Sequence, residues 1–237
     1  MVKDIVLKDY RTADVFKKYG INYCCGGQVS LEEACSQKEL ELSAIEQELE
    51  QASRSIVISN RLKFDNWRVD FLTDYIINVH HAFIKETFPS LQAALVSFVD
   101  NHRKKHPELV VLLPFFEELA DVVTKQMQYE EEVVFPYIKQ IESMLRRKEV
   151  YGGLFVKTLR KPLNAIVSSE QEDITSLIEK IRACTNQYVF PADACTNHQV
   201  IFHKLQELDN DLTQHKHLEN NILFPKAIAI ENELLQG

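Results

Sequence analysis

Two segments decide the fold of this chain: HKHLENNILFP at residues 215–225 and QMQYEEEVVFP at residues 126–136. They align without gaps at an offset of 89 residues, since 219 − 130 and 225 − 136 both equal 89. Each segment places a glutamate four residues after a histidine or a glutamine, and side chains four apart project from one face of a helix. The chain therefore contains two related helical segments.

Residues around these segments recur at spacings of three and four, the period of a helix that buries one face. One series contains the earlier segment: Phe116, Leu119, Val123, Gln126, Glu130, Val133 and Tyr137. Another contains the later segment: Leu205, Leu208, Leu212, His215, Glu219 and Ile222. A third runs through Leu163, Val167, Gln171, Ile174, Ile178 and Ile181.

Five polar residues lie on these core-facing positions: Gln126, Glu130, Gln171, His215 and Glu219. A carboxylate buried without a partner costs several kcal/mol, and it usually becomes protonated instead. The five side chains therefore need one another, water or a cation.

The composition favours long helices and argues against several functions. Only six of 237 residues are glycine, and none lies within 28–151 or 154–236, so few tight turns are available. The net charge of −8 argues against general affinity for nucleic acid, which needs clustered Lys and Arg. The first residues show no apolar leader, and no apolar run is long enough to cross a membrane. We expect a cytoplasmic protein.

We predict an all-α protein with a small N-terminal helical domain over residues 1–55 and a four-helix bundle over residues 69–237. Gly152-Gly153 and Pro162 mark the break between the two repeated hairpins. The long helices are expected at residues 69–104, 107–147, 162–185 and 196–235.

The N-terminal domain contains an adjacent pair, Cys24 and Cys25, followed by two glycines. Adjacent cysteines form a disulfide only through a strained ring, and strained disulfides are the reactive ones. As thiolates, the pair could bind a metal or a nitric-oxide species, or exchange with a partner's sulfur. The alternative is two small buried hydrophobic residues. Cys35, Cys184 and Cys195 are expected to serve packing.

The segment YGINYCCGG at residues 19–27, followed by LEEAC at residues 31–35, resembles the N-terminal signature of the bacterial iron–sulfur cluster repair proteins, the repair of iron centres family. The segment at residues 215–225 resembles their last ligand helix, and His81 and His102 also fit their pattern. The resemblance covers nearly the whole chain. It implies a short N-terminal domain joined to a hemerythrin-like up-down-up-down bundle with a di-iron site.

By this resemblance, Glu130 and Glu219 bridge two irons, and His81 and His215 bind terminally. Carboxylates and imidazoles projecting inward are a familiar ligand set of bundle cores. His102 is a further metal ligand or pocket residue.

His80 is the alternative to His81 as a ligand. The apolar arc of this helix centres nearer His80, whereas the offset to Pro89 favours His81, and we give the offset more weight. Three histidines that fall off the helical series are expected at the surface: His198, His203 and His217.

The chain departs from the family pattern at two positions, where Gln126 and Gln171 replace histidines. An amide oxygen is a poorer ligand for iron than imidazole, so the site is expected to be weakened. Three outcomes stay open. The site holds two irons with glutamine or water in the gaps, it holds one metal on two His and two Glu, or it holds none and the amides complete a polar layer.

The resemblance implies repair of iron–sulfur clusters damaged by nitric oxide or oxidants. Iron held in the bundle, together with the cysteine pair, would serve damaged iron–sulfur proteins as partners. The alternative is a binding or regulatory module that has kept the fold and lost the di-iron site. An oxygen-activating enzyme is disfavoured, because such bundles carry Glu-x-x-His motifs and none occurs here. The sequence leaves open whether the protein is an enzyme and whether it forms a homodimer.

Overall fold

The computed structural model describes residues 1–24, 27–53, 62–158, 163 and 171–236, and of residues 158 and 171–173 the backbone alone. Every regular element within these ranges is a helix, which confirms the predicted all-α fold. The N-terminal unit contains four short helices, α1 to α4: Val2–Lys8, Thr12–Lys18, Leu31–Gln37 and Leu42–Ser53.

Two local signals mark helix ends in the N-terminal unit. Gly20 follows α2 with a φ of 64°, a left-handed conformation that favours glycine. The Ser30 side chain accepts a hydrogen bond of 3.0 Å from the Glu33 amide and caps α3. The unit packs around Phe16 and Ile45, and Val200 of the bundle belongs to the same apolar cluster. The N-terminal unit therefore rests on the bundle.

Three bundle helices each contain a π turn between two α-helical segments. The first contains α5 (Val69–Tyr75), a π segment (Ile76–His81) and α6 (Ala82–His102). The second contains a 3₁₀ turn (Pro107–Val111), α7 (Leu112–Tyr129), a π segment (Glu130–Val134) and α8 (Phe135–Arg147). After α9 (Gly152–Thr158), the third contains α10 (Gln171–Cys184). The fourth contains α11 (Thr196–Leu218), a π segment (Glu219–Leu223) and α12 (Phe224–Gln236).

The π turn of the second helix corrects one predicted core position. Val133 is 42% exposed, whereas the next residue, Val134, is 3% exposed and lies in the core. A π turn holds one more residue than an α turn, so the buried face moves one position along the chain. Pro136 lies two residues after this turn, and proline cannot donate the usual backbone hydrogen bond to the preceding turn.

The second long helix ends at Arg147, and Gly152 and Gly153 lie in the break that follows it, where the structure gives them a further role. They begin α9, which packs against α12. A Cβ on Gly152 would lie 2.6 Å from Leu234 Cδ2, and a Cβ on Gly153 would lie 2.6 Å from the Leu234 carbonyl oxygen. At Gly153 the close neighbour is backbone, and only glycine permits that approach. Pro162, the other residue of the predicted break, lies outside the described residues.

Two apolar clusters fill the bundle and leave a polar layer between them. One includes Ile84, Leu119 and Leu212, and the other includes Ile76 and Leu223. The polar layer lies where the three π segments meet. The fold thus surrounds a few ionisable side chains with close-packed hydrocarbon.

Candidate metal centre

Four side chains of the polar layer converge: His81, Glu130, His215 and Glu219. One ligand atom from each lies within 4.8 Å of all the others, and all four residues are buried. Among the described residues this is the one group of three or more potential ligands so closely placed. They come from the first, second and fourth bundle helices.

The π turns position these ligands. His81 ends the π segment of the first helix, and Glu130 and Glu219 begin those of the second and fourth. Such turns change the direction in which a side chain leaves the helix, and they are frequent at functional sites. The repeat seen in the sequence is therefore present in the backbone, since both Phe-Pro segments follow a π turn that begins at the glutamate.

The contacts within the group are short. His81 Nε2 lies 3.2 Å from His215 Nε2 and 3.4 Å from Glu130 Oε2. His215 Nε2 lies 2.9 Å from Glu219 Oε1, the i, i+4 pair predicted from the repeat. Two imidazole nitrogens and two carboxylate oxygens therefore surround one point in the core.

Outer groups fix the orientation of two ligands, His81 and Glu219. The Nδ1–H of His81 donates to Glu131 Oε1 at 2.7 Å, and Lys85 donates to the same carboxylate. This leaves His81 Nε2 directed at the group, an arrangement typical of metal-binding histidines. Lys216 donates to Glu219 Oε2 at 3.1 Å.

The pKa values of the two buried glutamates are shifted in opposite directions. Burial, together with the neighbouring Glu219 charge, raises the pKa of Glu130 well above its ordinary value. Burial also acts to raise the pKa of Glu219, but His215 and Lys216 outweigh it and hold that pKa below its usual range. Burial lowers the pKa of His81, so its imidazole is neutral, the form that binds metal.

Unpartnered atoms show that this group fits a cation. Glu130 Oε2 and Gln126 Oε1 are buried without a hydrogen-bond partner in the described part of the chain, and such atoms call for an unseen ion or water. Both are oxygen acceptors, which a positive ion would satisfy. The charge and donor types of the group suit a first-row transition-metal ion.

The two predicted glutamine positions have different outcomes. Gln126 is half-buried, and its Nε2 donates to Glu130 Oε1 at 2.5 Å, as the metal-free polar layer requires. The side chain of Gln171 lies outside the described residues.

The structure separates the remaining predicted ligands from this group. His80 lies beside it, with Nδ1–H donating to Asp211 Oδ1 at 2.8 Å and its ring stacked on His215. His102 lies far along the same helix, and its Nε2 is 3.2 Å from Cys195 Sγ. Cys24 is half-buried in the N-terminal unit, and Cys25 lies outside the described residues.

Sequence reasoning missed several residues around the site. Glu131 orients His81, and Asp211 orients His80 beside the group; only their distance from the predicted ligands in a helix of known phase could have suggested them. The prediction that His198 lies at the surface is wrong, because it is 2% exposed. His203 is half-buried against Tyr10, whereas His217 is exposed as predicted.

The described residues contain no helix both long and apolar enough to cross a membrane. Residues 72–227 match the family model of the hemerythrin HHE cation-binding domain, and residues 1–53 match a family described as a domain of unknown function.

Curated relatives match over almost the full length. The chain is 34% identical to the iron–sulfur cluster repair protein YtfE of Enterobacter sp. (strain 638) over 233 residues, which cover 96% of each chain. It is 31% identical to YtfE of Escherichia coli O157:H7 over the same shares. It is 28% identical to the iron–sulfur cluster repair protein ScdA of Staphylococcus haemolyticus, over 95% of this chain and 96% of that one. With its buried ligand group inside a matching hemerythrin bundle, the chain belongs to the repair of iron centres family.

Proposed function

We propose that this protein repairs iron–sulfur clusters damaged by nitric oxide or oxidants, and that its bundle holds the iron. The observation that carries the proposal is the buried group of two imidazoles and two carboxylates, which is enclosed by apolar packing. The relatives named as iron–sulfur cluster repair proteins support it.

Of the three outcomes left open by the sequence, the geometry favours a single ion. With metal–nitrogen bonds of about 2.1 Å, neighbouring ligand atoms on one ion are roughly 3.0–3.4 Å apart. The separation of 3.2 Å between His81 Nε2 and His215 Nε2 falls in this range. Two irons that each carried one of these imidazoles would need the two nitrogens farther apart.

The glutamines suit a site that releases iron. Gln126 replaces an imidazole with an amide that hydrogen-bonds Glu130, and an amide binds iron weakly. We therefore treat the bound iron as cargo for damaged clusters, with Cys24 and Cys25 as the groups that pass iron or sulfur to the client. When bound, iron would be held by His81, Glu130, His215 and Glu219.

Iron analysis of anaerobically purified protein tests the site. We expect about one Fe(II) per chain in the core group after reconstitution, and close to one more in the Gln126→His/Gln171→His variant than in the wild type, because each added imidazole restores a ligand. Less than about a tenth of an iron per chain in both proteins would contradict the metal site. It would favour the regulatory module without metal, which the Gln126–Glu130 hydrogen bond supports.

Repair is tested on a hydratase whose [4Fe–4S] cluster has been destroyed by nitric oxide. The wild-type protein should restore hydratase activity, and the Cys24→Ser/Cys25→Ser variant should not. Cys184→Ser is the matched control, because Cys184 is a half-buried thiol outside the N-terminal unit. Equal recovery with all three proteins would remove the cysteine pair from the mechanism.

A further inference from the structure

A second cluster of potential ligands lies at the end of the bundle. His102 Nε2 is 3.2 Å from Cys195 Sγ. The ring centroids of His102 and His198 are 5.6 Å apart, and those of His106 and His198 are 5.4 Å apart. Three imidazoles and one thiol thus surround the beginning of α11.

His198 is the residue that this cluster leaves unexplained. It is 2% exposed, and both of its ring nitrogens are buried without a hydrogen-bond partner among the described residues. A buried polar group in that state costs about 1–3 kcal/mol. An imidazole with two unsatisfied nitrogens, placed between two other imidazoles, indicates a ligand that supplies the missing interaction.

We propose that His102, His106, His198 and Cys195 form a second metal site that binds a borderline divalent cation of the Zn²⁺ or Fe²⁺ class. Imidazole and thiolate ligands select such ions over Mg²⁺ and Ca²⁺. On a tetrahedral ion with metal–nitrogen bonds of about 2.1 Å, imidazole centroids lie roughly 5 Å apart. The two closer pairs are within about half an ångström of this spacing, and the third pair, His102 and His106, is 6.5 Å apart.

Hydrogen bonds already orient two of the imidazoles. The Nδ1–H of His102 donates to the Phe98 carbonyl at 2.8 Å, so Nε2 faces the thiol with a lone pair. The Nδ1 of His106 is 3.2 Å from Glu108 Oε1. The ligand atoms of this cluster do not converge within 4.8 Å as those of the core group do. Binding therefore requires rotation of the His198 and His106 rings and loss of the Cys195 thiol proton to solvent.

The site is accessible and separate from the core group. His106 and His198 line a cavity of about 380 Å³, which gives an ion a way in. His198 and His215 are 17 residues apart on one helix (215 − 198), which is about 25 Å at 1.5 Å per residue.

The N-terminal unit contacts the same end of the bundle, because the Tyr23 hydroxyl donates to Asn197 Oδ1 at 3.2 Å.

Cobalt(II) provides the test, because a thiolate bound to Co²⁺ gives an intense near-ultraviolet charge-transfer band. Imidazole and carboxylate ligands give none, so Co²⁺ in the core group does not interfere. The experiment uses the full chain with Cys24→Ser and Cys25→Ser, which removes the competing thiols. We expect the band in this protein, its loss on adding Cys195→Ser, and its retention on adding Cys184→Ser.

His198→Phe gives a second readout. The ring packs edge-on against Phe98 and Phe202, so phenylalanine should keep the metal-free melting temperature at or above that of the parent. We expect Co²⁺ affinity, followed by the same band, to fall at least tenfold. Absence of the band in the parent, its survival in Cys195→Ser, or unchanged affinity in His198→Phe would overturn the second site. None of these results would alter the iron content of the core group.

Discussion

Replacing one carboxylate of the core group should remove most of the stabilisation that iron gives the protein. In Glu130→Gln the amide keeps the size of the side chain but removes the charge and one carboxylate ligand from the group of four. A ligand that binds only the folded state stabilises it by RT ln(1 + [L]/Kd). The size of the iron-dependent thermal shift therefore reports whether Glu130 is a ligand.

The expected shift can be worked out for the wild-type protein. At a free Fe(II) concentration of about 100 Kd, binding stabilises the fold by about 2.7 kcal/mol. For a chain of 150–250 residues, each kcal/mol raises Tm by about 2–4 °C, so the shift is about 5–11 °C. If Glu130→Gln raises Kd about a hundredfold, the same iron contributes about 0.4 kcal/mol, and the shift falls to about 1–2 °C.

Anaerobic differential scanning calorimetry with Fe(II) or with a chelator measures both shifts. All proteins carry Cys195→Ser, so that the cluster at the end of the bundle adds nothing. Glu231→Gln is the matched control, because Glu231 is also a buried bundle carboxylate and lies outside the ligand group. The control should keep the full shift from its own baseline. Equal shifts in Glu130→Gln and the control, or no shift in the parent, would refute the assignment of Glu130.

Three further predictions concern stability without metal. Because burial and the Glu219 charge raise the pKa of Glu130 above its ordinary value, its stabilising neutral form is lost as pH rises through the folded pKa; urea titrations should show Glu130→Gln gaining on wild type as pH rises above about 5. Tyr137→Phe should cost about 1–3 kcal/mol, since the hydroxyl donates to buried Glu231 at 2.6 Å; recovery in Tyr137→Phe/Glu231→Leu checks this cause. Arg182→Met should cost about 3 kcal/mol by urea unfolding, because it leaves buried Asp209 without its two guanidinium bonds of 2.6 Å, and Arg182→Lys should restore only part.

The positions of the helices were predictable because their signals are local. The first bundle helix was expected over residues 69–104 and extends from Val69 to His102. The core-facing positions of the fourth helix were predicted correctly from Leu205 to Ile222. Both depend on the helical period and on nearby end signals, which the sequence displays directly.

Two features could not be predicted, for different physical reasons. A π turn inserts one residue into a helix without changing its composition, so a constant period places Val133 in the core in place of Val134. His198 is not one of the core-facing positions of its helix, yet the ends of two other elements cover it, as its ring contacts with His102 and His106 show. Burial of that kind depends on residues about ninety positions away in the chain, and a local hydrophobic period carries no information about them.

The π turns also explain how the site can lose imidazoles without losing its form. Glu130–Val134 and Glu219–Leu223 are related by the same offset of 89 that relates the two sequence segments. Each glutamate is therefore aimed by backbone geometry that does not depend on whether Gln126 or His215 precedes it. Changing an imidazole to an amide lowers metal affinity and leaves the carboxylates in place. On the proposed function, this allows the bundle to pass iron on rather than retain it, with the same scaffold serving either purpose.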